Sequence, residues 1–256
     1  MKRVLTALLL IPLVLACIFH LPLLVTWAVL ALVALLCLRE YFRLAEKLSF
    51  RPFHVAGYGA GAVWIFARGV PETALLVLAV VALLLLTLLR DDFSGALGDV
   101  ASTLFGVVYI AGPFALGREL HIVDPHWLFF VLLLNWVGDS AAMYCGKAFG
   151  RRKMAPIISP NKTWAGAVAS LAVSAIVGTG YLYYFQPSGV ALWVAVLLSV
   201  WVNVAAQLGD LAESALKRGA AVKDSGGMLP GHGGMLDRVD GLLFSLPACY
   251  LVVRFL

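Results

Sequence analysis

Charge is scarce in this sequence. Only 13% of its 256 residues are Asp, Glu, Lys or Arg, against ~25% in a typical soluble domain, and 62% are hydrophobic. A water-soluble domain is thereby excluded. The four cysteines, Cys17, Cys37, Cys145 and Cys249, form no CxxC pair. Neither a zinc site nor a disulfide framework is implied, and the thiols read as small hydrophobes within apolar runs. No G-x-x-x-x-G-K-[ST] pattern occurs, so a Walker-type nucleotide loop is not implied. Long low-complexity tracts and an evident internal repeat are also missing. No small-residue cleavage site follows the N-terminal apolar run, which therefore reads as a retained first helix.

What is abundant is continuous Leu/Val/Ala-rich sequence. Its runs do not alternate, which selects membrane helices over barrel strands. Nine runs approach the ~17–25 residues of a membrane span: 4–20, 22–38, 53–67, 72–89, 97–117, 126–146, 164–185, 189–208 and 241–256. The expected fold is all-α, a polytopic membrane protein with about nine transmembrane helices in one continuous membrane domain. Residues 1–130 supply the N-terminal helices and 131–256 the catalytic region. Between the second and third runs, LREYFRLAEKLSFRP reads as an amphipathic interfacial helix. Of the 19 Lys and Arg, only Arg68, Arg118 and Arg254 fall on the side opposite the N-terminus. The positive-inside bias makes the N-terminal side cytoplasmic, and with it the polar loops 147–163 and 209–240. The expected location is the cell (inner) membrane, with the site on its cytoplasmic face.

Polar chemistry is concentrated from Gln207 to Asp240. Asn203, Gln207, Asp210, Ser214 and Lys217 are spaced to share one helical face. Such a stripe faces a water-filled cavity, or forms a polar helix–helix interface. Asn135 and Asp139 form a second, shorter stripe. Arg151, Arg152, Lys153 and Lys162 cluster in the first polar loop, where they set topology and attract anionic head groups. Within Ser159-Pro160-Asn161-Lys162-Thr163, Ser or Thr can cap the next helix, and its N-terminus beside Lys162 is suited to anions. Gly226, Gly227, Gly231, Gly233 and Gly234 allow backbone amides to approach a ligand. Asp237 and Asp240 lie three apart, and carboxylates beside glycines and cations suit Mg²⁺ shared with substrate phosphates. His232 binds a phosphate or holds the loop. These features describe a polyphosphate site at a membrane surface, where positioning and charge neutralisation do the chemistry.

The residues Ser214-x-x-Lys217-Arg218, Lys223-Asp224 and Pro230-x-His232-Gly233-Gly234-x-x-Asp237-Arg238-x-Asp240 resemble the motif of the phosphatidate cytidylyltransferases (CDP-diacylglycerol synthases). Gly138-Asp139, Gly150-Arg151, Ile158 to Trp164 and Gln207-x-Gly209-Asp210-Leu211 resemble the family's other blocks. Ala165 departs from the pattern, which usually has Glu after Trp. The resemblance implies a Mg²⁺-dependent reaction of CTP with phosphatidic acid, giving CDP-diacylglycerol and pyrophosphate. It also implies a homodimer in the bilayer and no nucleic-acid partner. The metal-binding acids map onto Asp210 and Asp237, with Asp224 and Asp240 as further candidates and a second cation left open. Lys217, Arg218, Lys223 and Arg238 then hold anionic oxygens. Ser159, Lys162, Thr163, Ser214, His232, Gly233 and Gly234 contact substrate. Two alternatives stand beside this reading: a CTP-dependent polyprenol or phytol kinase, and an ion or anion transporter using Asp139 and Asp210.

Overall fold

A computed structural model describes residues 12–185, 189–228 and 233–256. In chain order its helices are α1 (residues 12–19), α2 (Leu23–Lys47), α3 (His54–Phe66), α4 (Glu72–Thr87), α5 (Ala96–Gly106), α6 (Gly112–Val123), α7 (Pro125–Phe149), α8 (Trp164–Phe185), α9 (Leu192–Gly219), α10 (Leu236–Val239) and α11 (Leu242–Val253). A π-helical turn, Val107–Ala111, joins α5 and α6 into one continuous rod. Pro113 accounts for it. A proline ring inside an α-helix clashes with the carbonyl four residues back, here Tyr109, and a widened turn relieves the clash. The next helix starts cleanly. Pro125 opens α7, and the Asp124 side chain accepts from the His126 amide at 2.8 Å.

Among the described residues, five helices are long and apolar enough to cross a membrane: Leu23–Lys47, Ala96–Val123, Pro125–Phe149, Trp164–Phe185 and Leu192–Gly219. The shorter apolar helix Glu72–Thr87 matches a sixth predicted span. Predicted spans 53–67 and 241–256 appear as helices of 13 and 12 residues, short against the ~20 residues that span hydrocarbon. Most of predicted span 4–20 lies outside the described residues. Two expectations are corrected. The all-α fold carries a small hairpin, in which β1 (Lys153–Ala155) pairs antiparallel with β2 (Ser159–Thr163) and Lys153 sits opposite Thr163. The interfacial segment is no separate helix, because residues 38–47 continue α2 without a break.

Beside a core of large apolar side chains such as Phe42, Trp127 and Phe130, α8 packs with small and polar residues inside and large apolar ones outside. In α8, Gly166, Ser170, Ser174, Gly178 and Leu182, every fourth residue, form the buried stripe. Val168, Ile176, Tyr183 and Tyr184 are exposed. Helices in lipid gain nothing by burying leucine against leucine rather than against acyl chains. Close backbone approach and interhelical hydrogen bonds hold them instead. Accordingly, Asn203 on α9 donates to Ser170 and Ser174 on α8 at 3.0 and 2.9 Å. A Cβ on Gly138 would lie 2.6 Å from the Asn203 amide, and one on Gly178 would lie 2.5 Å from the Ser199 hydroxyl. One hydrophobic cluster runs from Ile18 to Val253, across residue 130.

Candidate active site

The two polar loops meet over a cavity of about 750 Å³. Its walls come from α7 (Asp139, Met143, Lys147), the hairpin (Lys153, Ser159, Lys162, Thr163), α8 (Gly166, Ser170), α9 (Gln207, Asp210) and the α10–α11 junction (Asp240, Gly241). Two glycines bring the last two walls together. A Cβ on Gly209 would lie 2.6 Å from the Asp240 carbonyl oxygen, and one on Gly241 would lie 2.5 Å from the Asn135 side chain. The Gly209-Asp210 and Asp240-Gly241 pairs thus let α9, α7 and the junction close up. They set Asp210 and Asp240 on one cavity although thirty positions separate them.

The lining is mixed in charge. Lys162 Nζ lies 2.7 Å from Asp210 Oδ2, and Ser214 Oγ donates to Asp210 Oδ1 at 3.4 Å. Lys147 and Lys153 add positive charge, and Asp139 opens into the cavity without a hydrogen-bond or ion-pair partner among the described residues. Burial pushes the Asp240 carboxyl well above its ordinary range, and the carboxylates of Asp210, Glu213 and Asp139 push it further, against the Gly241 amide that donates to it. The acids are therefore in mutual repulsion, which a cation would relieve. Thr163 caps α8 as expected, its Oγ1 accepting from the Gly166 amide at 3.2 Å.

Behind this cavity stands a second charged centre. Lys217, buried on α9, places Nζ 2.5 Å from Asp237 Oδ1 and 2.5 Å from Glu213 Oε2. Glu213 is fully buried, and its Oε1 has no hydrogen-bond partner among the described residues. Asp237 Oδ2 accepts from the Gly234 amide at 2.7 Å and the Ser225 amide at 3.0 Å. Burial alone would raise the Asp237 carboxyl, but the Lys217 ammonium and these amides outweigh it and hold it below the usual carboxylate range.

The residues singled out from sequence thus separate into three groups. Asp210, Asp240, Ser159, Lys162 and Thr163 line the cavity, while Ser214 braces Asp210. Asp237, Lys217 and Gly234 form the adjoining centre, with Gly233 beside it in the left-handed region at φ 77°. Lys223, Asp224 and Arg238 are exposed and do not line the cavity. Arg218 turns to the backbone, donating to the carbonyls of Ile158 and Val222 at 3.2 and 2.9 Å, which ties the hairpin to α9. His232 lies outside the described residues. The polar stripe divides as well. Asn203 belongs to the helix interface, while Gln207 serves both, donating to Asn203 at 2.7 Å and lining the cavity. Asn135 is structural, donating to Ser245 at 2.9 Å.

Sequence reasoning missed Glu40 and Ser225, which pack against the Asp237 centre. Glu40 had a readable signal: on α2 it shares the buried face with Cys37, Tyr41 and Leu44.

The donor set suits a hard cation. Asp139, Asp210 and Asp240 present carboxylate oxygens to one cavity, as Mg²⁺ shared with phosphates requires. Among the described residues, no three acidic, His or Cys side chains are gathered tightly enough to form a cage by themselves. A second cavity of about 400 Å³, between α3, the π turn, α6 and α11, is apolar apart from Glu72 and the Tyr109 hydroxyl and carries no such set.

The family model described as the cytidylyltransferase family matches residues 1–256. A phosphatidate cytidylyltransferase of Staphylococcus saprophyticus is 40% identical over 149 residues, covering 58% of this chain and 57% of that protein. One of Staphylococcus aureus (strain COL) matches to the same extent. One of Bacillus subtilis (strain 168) is 35% identical over 191 residues, covering 73% of this chain and 70% of its own. The chain thus spans little more than half the length of the staphylococcal relatives it matches.

Proposed function

The chain belongs to the cytidylyltransferase family, and we propose that it condenses CTP with phosphatidic acid to CDP-diacylglycerol and pyrophosphate. The observation that carries this reading is the single cavity in which Lys147, Lys153 and Lys162 face Asp139, Asp210 and Asp240. About 750 Å³ is room for a nucleotide, within the ~300–1,000 Å³ of small-molecule sites. Cations and acids together suit a triphosphate that arrives with a divalent metal.

In the reaction an oxygen of the lipid phosphate bonds to the α-phosphorus of CTP. The bond from that phosphorus to the bridging oxygen breaks, and pyrophosphate leaves. A phosphate monoester is already anionic near neutral pH, so no side chain needs to remove a proton. The barrier is repulsion between two polyanions. Lys162, Lys147 and Lys153 would bind the triphosphate oxygens and hold them against the acids. Mg²⁺, held by Asp210 and Asp240 with Asp139, would supply charge neutralisation for the triphosphate and the leaving pyrophosphate, with Asp237 as a fixed negative charge behind them. Lys217 keeps Asp237 ionised, and Ser214 orients Asp210. Arg218 holds the hairpin, and so Lys162, over α9.

We place the chain in the cell membrane with this cavity on the cytoplasmic side, as the distribution of Lys and Arg supports. About nine spans and a homodimer complete the proposal.

Purified protein with labelled CTP, phosphatidic acid and Mg²⁺ should yield a lipid-soluble cytidine product with one pyrophosphate per turnover. EDTA should stop the reaction and Mg²⁺ restore it. Label recovered as CDP with a phosphorylated lipid alcohol would make the protein a kinase, and solute flux without nucleotide consumption a transporter.

A further inference from the structure

Glu40 lies far from every motif, on α2, and is 1% exposed. Its Oε2 accepts from the Ser225 hydroxyl at 2.9 Å and from the Leu236 amide at 2.9 Å. The same Ser225 hydroxyl lies 3.0 Å from Asp237 Oδ2, and the Ser225 amide also donates to that carboxylate. One serine therefore stands between two carboxylates, from helices nearly two hundred positions apart. A hydroxyl has one hydrogen to give, so it can donate to only one of them at a time, while the Ser225 amide donates to Asp237.

The glycines of this loop follow the same logic. A Cβ on Gly226 would lie 2.5 Å from Glu40 Oε1, and one on Gly234 would collide with the Glu40 carboxylate and the Ser225 hydroxyl. These two positions have no room for a side chain because their backbone packs directly against Glu40. Their open backbone faces a buried side chain, not a ligand.

We infer that Glu40 is a positioning residue for the proposed reaction: it anchors Ser225 and the start of α10, and through them sets the direction of Asp237. The inference rests on the activity proposed above, and it ties the N-terminal helices to the chemistry of the C-terminal half. An orienting partner behind a ligand or catalytic carboxylate is typically worth about 10–100-fold.

Glu40→Gln keeps the side-chain volume and replaces one carboxylate oxygen with an amide donor. It should lower kcat by about 10–100-fold and raise the Mg²⁺ concentration needed for half-maximal activity. Backbone hydrogen exchange over residues 233–241 should speed up, while exchange in α7 stays as in the wild type. Adding Ser225→Ala to Glu40→Gln should cost little more, since both act on one path. Wild-type exchange over 233–241 in Glu40→Gln, or wild-type turnover and Mg²⁺ dependence, overturns the inference. Should Glu40→Gln not fold, Glu40→Asp, which withdraws the carboxylate by one methylene, is scored by the same readouts. Failure of the wild-type protein to make a cytidine lipid would sink the enzymatic reading separately, while the exchange measurement still decides whether Glu40 holds the loop.

Discussion

Asp210 and Asp237 carry the same charge and are held in opposite ways. Asp210 faces open cavity and is matched by one lysine from the hairpin. Asp237 is clamped by a buried ammonium and by backbone amides. The first arrangement suits a carboxylate that exchanges its partner for substrate and metal, and the second a fixed negative charge. Asp210→Asn and Asp237→Asn should each lower turnover by about 10²–10³-fold or more, the scale of losing one electrostatic stabiliser, with helical content unchanged by circular dichroism. Lys162→Ala should act chiefly on KM for CTP, because it frees Asp210 as it removes a phosphate ligand. Lys217→Met differs from all three. It strands two carboxylates without their cation, and breaking a buried pair costs about 3–5 kcal/mol. Thermal unfolding in detergent should show that loss, whereas Lys162→Ala should leave the unfolding temperature near the wild-type value.

Among the elements, α8 shows how little space the fold leaves. Its buried face is glycine and serine at every fourth position, and Gly138 of α7 presses on the same neighbours. Gly138→Val should therefore destabilise the α7–α8–α9 packing by about 1–3 kcal/mol, as overpacking does, read as lower thermal stability and reduced membrane yield. Gly241→Ala acts elsewhere: its Cβ meets the Asn135 side chain and moves Asp240. Its turnover should fall more than its stability. The loops before α3 and α5 are joined by a different device. Asp99, buried in the first turn of α5, accepts from the Arg51 amide at 2.7 Å and from Arg90 at 2.5 Å. Asp99→Asn should unfold at lower temperature while the folded fraction keeps the wild-type KM for CTP. A changed KM would mean that this clasp reaches the cavity.

For the whole molecule, the proposed arrangement is an outer shell of apolar side chains around a polar seam that opens at one face. That geometry fits a soluble nucleotide and a bilayer lipid meeting at one point. A cysteine-free background carrying Lys153→Cys or Lys223→Cys should react with a membrane-impermeant maleimide only in inverted vesicles, and one carrying Gly189→Cys only in intact cells. The reverse pattern would put the cavity on the outer face.

The long helices were legible from composition, because any run of ~20 apolar residues must close its backbone hydrogen bonds internally. Span 164–185 matches α8 at both ends, since Thr163 is a cap and the aromatic end is unmistakable. The candidate site was legible in part: Asp210, Asp240, Lys162 and Thr163, which line one cavity, are polar groups where apolar ones are the rule. Three things depended on tertiary structure. One is which acid takes which cation, because Lys162 and Lys217 reach their partners across elements. Another is the role of Gly226 and Gly234, which spacing suggested for a ligand and packing sets against Glu40. The last is Glu40 itself. Sequence determines what a segment can bury, by the chemistry of its own side chains; what it buries against is decided by residues nearly two hundred positions away, which no local pattern contains.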